Sequence, residues 1–250
     1  MTVNRSHPKP QADLLPWVKA ARFLQSCQTV WGRVVWGLLA VFLVVSPVRG
    51  AWSQEVTLIA FGDSLTHGYG LPADTAFPDQ LQAALDNAGE QAVVINAGNS
   101  GDTTAAGLAR LDWALADLPK DKPAAMILEL GANDSLRGLP PESTRDNLDK
   151  ILAKVTGKNI SVLLAGMLAP RNLGNDYAGK FDRVFPDLAE KYDVPLYAFF
   201  LEGVALDPTL NQADGIHPNE AGVAVIVERI TPMVLQLLAD ARASAAGAGG

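Results

Sequence analysis

Ser64, Asp214 and His217 are the residues of this chain whose types and settings could carry nucleophilic chemistry. Ser64 follows the apolar run Thr57-Leu-Ile-Ala-Phe61 and sits in Gly62-Asp63-Ser64-Leu65-Thr66-His67-Gly68. The run predicts a short core strand, Gly62 a sharp turn, and Asp63 or Ser64 a helix start. A hydroxyl placed there projects from the end of a strand on a rigid element, although the same hydroxyl would also serve as a plain helix cap. A serine needs a base before it becomes a useful nucleophile. Past residue 50 only His67 and His217 are available. His67 is three residues after Ser64, where i,i+3 geometry leaves the ring little freedom to be oriented by a third group, so it reads as a surface or pocket-wall residue. His217 stands in Asp214-Gly-Ile-His217-Pro218-Asn219. An Asp three residues before a His in a glycine loop can fold back onto Nδ1–H, fix the tautomer and leave Nε2 for the serine. Taken alone, Asp214 is a turn residue and His217 a structural hydrogen bonder; only the constellation gives them a reaction.

Acyl transfer also needs donors aimed at a developing oxyanion. The Ser64 N–H, the N–H of Gly101 in Ser100-Gly101-Asp102, and the side-chain amide of Asn133 in Gly131-Ala-Asn133-Asp134 are candidates. Each would otherwise be an ordinary turn residue. Other chemistries fit less well. Thr66 replaces the second glycine of G-x-S-x-G, so the lipase-type elbow is not met. No G-x-x-x-x-G-K-[ST] loop and no H-E-x-x-H is present, and metal sites would rest on carboxylates; no metal is expected. Glu129 reads as an edge-of-core residue whose carboxylate supports nearby loops, with no catalytic role.

These residues need a frame that brings them to one place. Five β-like segments, Val56–Phe61, Val93–Ala97, Ala125–Leu130, Ser161–Gly166 and Leu196–Phe200, alternate with helical spacing over Phe77–Asn87, Thr103–Leu118, Glu142–Thr156 and Lys180–Tyr192. Asn219–Leu238 closes the chain as a last helix begun by Pro218. The alternation predicts a parallel sheet with helices on both faces, its first four strands covered on both sides. The loops after the strands then share one rim with Ser64, which is where open α/β sheets build their sites.

The chain has 250 residues and is 48% hydrophobic, enough for one large core. Its first 50 residues stand apart. A leader with Arg5, Lys9, Lys19, Arg22 and Arg33 precedes the uncharged run Val34–Val45, then Ser46-Pro-Val-Arg-Gly-Ala51. That pattern describes a secretory signal, and the run is short for a membrane span of roughly 20 residues. A retained amino-terminal anchor is the alternative. The single cysteine, Cys27, precedes the run, so the mature part has neither disulfides nor a thiol nucleophile. It carries 14 basic and 26 acidic residues, a balance of −12 that does not suit nucleic acid. The expected layout is 1–50 signal or anchor, 51–240 catalytic domain, and 241–250 a disordered small-residue tail.

Together the residues resemble the SGNH hydrolases, also called the GDSL family. The blocks occur in order: Gly62-Asp-Ser64-Leu, Gly101, Gly131-Ala-Asn133-Asp134 and Asp214-Gly-Ile-His217-Pro. Phe61-Gly-Asp-Ser-Leu-Thr-His-Gly-Tyr-Gly70, Leu108-Ala-Arg-Leu111 and Leu136-Arg-Gly138 bring it nearest the bacterial lysophospholipase L1, acyl-CoA thioesterase I and arylesterase group. Ala132 stands where a second glycine is common. The resemblance covers about residues 55–238. It implies a three-layer α/β/α flavodoxin-like fold with a five-stranded parallel sheet, a monomer or loose oligomer, and no cofactor. It implies ester or thioester hydrolysis by Ser64, His217 and Asp214, with Ser64, Gly101 and Asn133 as the oxyanion hole. The partner is a small-molecule acyl ester or thioester, in the periplasm or outside the cell. A carbohydrate O-acetylesterase or acyltransferase on the same residues, and a non-catalytic flavodoxin-like binding module, are the alternatives. Leu136, Leu139, Met167, Pro170, Leu173 and Tyr177, from the loops after the third and fourth strands, are candidates for an apolar acyl groove.

Overall fold

The computed structural model describes residues 54–248 apart from Asp117 and Lys120. The expectations for residues 1–50 lie outside the described residues. Five parallel strands form one sheet: β1 Val56–Gly62, β2 Ala92–Gly98, β3 Ala124–Glu129, β4 Ser161–Ala165 and β5 Leu196–Tyr197, in the order β2-β1-β3-β4-β5. The helices are α1 Ser64–His67, α2 Phe77–Asn87, α3 Thr104–Ala116, α4 Ala132–Leu136, α5 Pro141–Thr156, α6 Asn175–Asp182, α7 Val184–Tyr192 and α8 Glu220–Ala248. Helices α2 and α8 pack together on one face of the sheet, and α3, α5 and α7 form the other layer. This strand order reverses direction between β1 and β3, and the crevice at such a reversal is the place where a doubly wound sheet holds its ligand. The chain leaves β1 into Ser64 and β3 into Asn133, so both residues reach that crevice.

Strand β1 is buried along its whole length, as its uncharged, mostly apolar sequence requires. Strand β2 is not, contrary to expectation. It is an edge strand, and Val93 and Ile95 remain exposed. Gln82 of α2 stands in for a further strand: its amide donates to Ala92 C=O (3.0 Å) and accepts from Val94 N–H (2.7 Å). That pairing blunts an edge that would otherwise invite another chain.

Other boundaries also differ from the sequence reading. Strand β5 stops at Tyr197 instead of Phe200; Phe200 is buried against Phe77 (ring centroids 5.1 Å apart), and its N–H reaches Gly166 C=O at 2.8 Å. The single helix expected over Lys180–Tyr192 is two, parted at Arg183. Pro186 has no N–H to offer Asp182 C=O, so the helical ladder cannot run through that turn. Pro218 does not open α8 but pairs as an isolated antiparallel bridge with Asn211, and α8 starts at Glu220. At the far end α8 continues to Ala248, so the tail expected to be disordered is helical through that residue. Its alanines favour helix, and Arg242 ties it to Gln54 C=O, Gln91 C=O and the Glu90 carboxylate. Helix α8 is long and apolar enough to cross a membrane by composition alone. Here Val223, Ile226, Ile230, Val234 and Leu237 recur at helical spacing and are buried in the core.

Candidate active site

Ser64 is the first residue of α1, and Asp63 is its cap: Asp63 Oδ1 accepts from Leu65 N–H at 3.0 Å. The Ser64 hydroxyl is therefore not needed to start the helix. It meets His217 Nε2 at 2.9 Å. His217 Nδ1 lies 2.7 Å from Asp214 Oδ2. Asp214 Oδ1 also accepts from the N–H groups of Ile216 (3.0 Å) and His217 (3.1 Å), so the loop folds back on itself and both carboxylate oxygens are occupied. Against a desolvation that would raise it, these hydrogen bonds, the His217 ring first, hold the Asp214 carboxyl down at about 2. An ionised Asp214 accepts a hydrogen bond from Nδ1–H, which keeps the proton on Nδ1 and leaves Nε2 as the acceptor facing Ser64. The other histidine goes elsewhere: His67 Nδ1 is 3.2 Å from Gly98 C=O.

Two residues that sequence reasoning did not assign hold His217 in place. The Tyr69 ring lies against the imidazole, with centroids 4.7 Å apart. The Gln212 amide donates to Tyr69 C=O (2.7 Å) and Pro218 C=O (2.9 Å), and Gln212 N–H donates to His217 C=O (2.8 Å). Gln212 thus ties the histidine loop to the turn after the nucleophile helix.

The expected oxyanion donors gather beside Ser64. Neither the Ser64 nor the Gly101 N–H has a protein acceptor among the described residues. Gly101 has φ +87°, a conformation that disfavours a side chain. Its carbonyl is held by Arg137 at 2.8 Å. Its neighbour Asp102 is held by Asn99 (2.6 Å) and by Arg110 (2.5 Å), and Arg110 also donates to Gly62 C=O at 2.9 Å over the face of Phe61. Asn133 is more constrained than expected. Its amide donates both to Asp63 Oδ2 (3.1 Å) and to Asp102 C=O (3.0 Å). Asp134 next to it is buried and receives Thr104 N–H (2.8 Å) and the Thr104 hydroxyl (2.6 Å), locking α4 to the start of α3.

The candidate acyl residues are not equivalent. Leu136 and Leu173 are exposed, and Leu139, Pro170 and Tyr177 are half-buried, with the Tyr177 hydroxyl donating to Leu139 C=O at 2.8 Å. Met167 is part of the hydrophobic core, so its side chain is not on the open rim where it was expected. It follows β4 directly and turns inward with the strand. A cavity of about 380 Å³, lined by Asn159, Tyr192 and Asp240 among others, lies at the amino ends of β4 and β5, on the rim opposite Ser64.

A family model described as GDSL-like Lipase/Acylhydrolase matches residues 60–225. The chain belongs to that family. It is 42% identical over 184 residues to Thioesterase 1/protease 1/lysophospholipase L1 of Escherichia coli (strain K12), covering 74% of this chain and 85% of that protein. An Arylesterase of Vibrio mimicus is 37% identical over 200 residues, covering 80% and 97%. Among solved structures, AlinE4, described as a SGNH-hydrolase family esterase, is 47% identical with a TM-score of 0.63, covering 74% of this chain and 98% of its own. The flavodoxin-like α/β/α sheet is that of the GDSL-type acylhydrolases, and the chain is a hydrolase of the ester- and thioester-cleaving class.

Proposed function

We propose that this enzyme hydrolyses acyl esters or thioesters through a covalent acyl-enzyme on Ser64, with His217 as the base and Asp214 as its orienting carboxylate. The observation that supports this most is the continuous chain from Ser64 Oγ to His217 at 2.9 Å and from His217 to Asp214 at 2.7 Å. His217 Nε2 takes the hydroxyl proton as Oγ attacks the carbonyl carbon, then returns it to the departing alcohol or thiol. Water repeats the sequence on the acyl-enzyme and frees the acid. The N–H groups of Ser64 and Gly101, free of protein acceptors among the described residues, receive the oxyanion. Asn133 joins them by exchanging its bond to the neutral Asp102 carbonyl for a charge-assisted one, which is roughly twice as strong. Its bond to Asp63 keeps the amide in position meanwhile.

Removal of one such donor raises the barrier by about 2.7–4 kcal/mol. Asn133→Ala should therefore lower kcat by roughly 10²–10³-fold with a smaller change in KM. Steady-state kinetics on p-nitrophenyl esters measure both, and an unchanged kcat would remove Asn133 from the oxyanion hole.

The acyl chain leaves the reacting centre over Leu136, Leu139, Pro170, Leu173 and Tyr177, the exposed and half-buried apolar residues of the rim. Fluorophosphonate labelling, followed by a panel of acyl lengths and of alcohol and thiol leaving groups, tests the whole reading. A folded protein that is not labelled would sink it. Activity confined to acetyl esters of carbohydrates would favour the O-acetylesterase alternative. Within the panel, Leu173→Ala should shift the preferred chain length, and an identical profile would take Leu173 out of the groove. The basic leader and its 12-residue apolar run support export to the periplasm or beyond, checked by amino-terminal sequencing of the purified enzyme.

A further inference from the structure

Glu129 ends β3 and is fully buried directly behind the nucleophile turn. Its Oε2 accepts from Asp63 N–H at 3.3 Å and from the Thr66 hydroxyl at 2.9 Å. Those two residues bracket Ser64, so one carboxyl oxygen of β3 holds the turn on both sides of the nucleophile. The other oxygen, Oε1, is buried without a hydrogen-bond partner among the described residues. Gly62 pairs with Glu129 in the sheet register, and a Cβ at Gly62 would run into the Thr66 hydroxyl and Glu129 Oε2. The bare glycine is what lets the three groups meet.

The distribution of partners decides the charge state. An ionised carboxylate presents two equivalent oxygens and requires donors on both when it is out of water. Among the described residues, Glu129 meets only neutral donors, the Asp63 N–H and Thr66 hydroxyl on Oε2 with the Thr66 N–H nearby; Oε1 has no partner in hydrogen-bond geometry, and no cation is in contact. The groups around it point the same way. Asp63, in the same turn, is also buried, and its two oxygens are both supplied, by Leu65 N–H and by Asn133. Asp102 lies beyond Asp63 on the β2 side with Arg110 paired to it, and His217 faces Asp63 from the loop before α8. Burial first, and the neighbouring Asp63 charge second, push the Glu129 carboxyl well above the ordinary carboxylate range. Burial raises Asp63 only to about 6, because Leu65 N–H and the Asn133 amide stabilise its charge.

We infer that Glu129 is a positioning residue for Ser64 that works as a neutral carboxyl group, accepting from Asp63 and Thr66 through Oε2 and keeping its proton on Oε1. Neutrality matters to the reaction as well as to folding. A second buried negative charge behind the Ser64 N–H would oppose the oxyanion that forms in front of it. This role rests on Ser64 being the nucleophile.

Three variants of the full chain test it. Glu129→Gln keeps the accepting oxygen without a charge and should hold kcat within about threefold, the scale of one neutral hydrogen bond. Glu129→Ala frees both sides of the turn and should lower kcat by about 10²-fold at nearly constant KM, as a small misplacement of a reacting group does. Thr66→Val removes one of the two clamps and should fall between them, a readout that remains if the alanine variant does not fold. Infrared difference spectra at pH 7 should show a protonated-carboxyl band in the unsubstituted enzyme that is missing from Glu129→Gln. A glutamine variant as impaired as alanine, or the absence of that band, would overturn the neutral role. Full kcat in both Glu129→Ala and Thr66→Val would overturn the positioning role. Fluorophosphonate labelling of the unsubstituted enzyme separates these failures from failure of the nucleophile assignment, since only the latter abolishes it.

Discussion

Ser64→Ala should lower kcat on p-nitrophenyl acyl esters by about 10⁶-fold, the loss that follows when a serine hydrolase of this constellation is deprived of its nucleophile. The fold should be left almost untouched. Asp63, not Ser64, supplies the side-chain cap of α1, through the bond from Leu65 N–H to its Oδ1. Losing a cap costs about 0.5–2 kcal/mol, whereas a half-buried hydroxyl with no capping role costs within about 0.5 kcal/mol. A large fall in activity with an unchanged denaturation midpoint is therefore the signature of a nucleophile, and the reverse combination is the signature of a cap. The oxyanion donors and His217 stay in place in the alanine variant, so substrate binding should survive and the fall should appear in kcat. A folded Ser64→Ala protein that hydrolyses these esters at the original rate would end the proposal.

The parts of this molecule that could be read from the chain are those set by short stretches. Val56–Phe61 is apolar but for Thr57 and becomes a fully buried strand; Asp214 and His217 are three residues apart and bond within one loop. Each such prediction needs only neighbours in sequence. The parts that could not be read depend on groups far apart in the chain. Nothing near Tyr69 says that it will lie on the His217 ring, and Gln212 earns its role only because the fold brings residue 69 beside it. Arg110 and Asp102 are eight residues apart across the start of α3, so spacing alone was no guide to their pairing. Met167 lies in the core and not in the groove for a related reason. An apolar residue just after a strand is equally compatible with a groove and with the core, and only the packing of β4 decides for the core. Glu129 supports the nearby turn, as its place in the sequence suggests; its complete burial and its one-sided partners are beyond reach of composition. A carboxylate in an apolar strand is the signal that could have raised the question, since such a group is rarely buried without a specific partner.

Asp214→Asn should lower kcat by about 10⁴-fold while the loop keeps its shape. The asparagine oxygen can still accept from the Ile216 and His217 N–H groups, which now go to Asp214 Oδ1. The amide nitrogen then faces His217 Nδ1 and must donate to it, where the carboxylate accepted. The ring proton moves to Nε2, the atom that has to take the Ser64 proton, and the base is lost without any atom being displaced. That separates orientation from tautomer, because Asp214→Ala would remove both. The pH dependence provides a second check. The Asp214 carboxyl is lowered from 3.8 to about 2, so the unfolded chain binds its proton more tightly than the folded one. Its contribution to stability is thus fully present above about pH 4 and is lost as the pH falls through about 2. Asp214 stays ionised across the whole working range, and any acidic fall in kcat above about pH 3 belongs to another group. Asp214→Asn should consequently lower the entire kcat–pH profile without removing an acidic limb. A variant that lost only that limb, and matched the unsubstituted enzyme at its pH optimum, would show that Asp214 acts through its own titration and would overturn its orienting role.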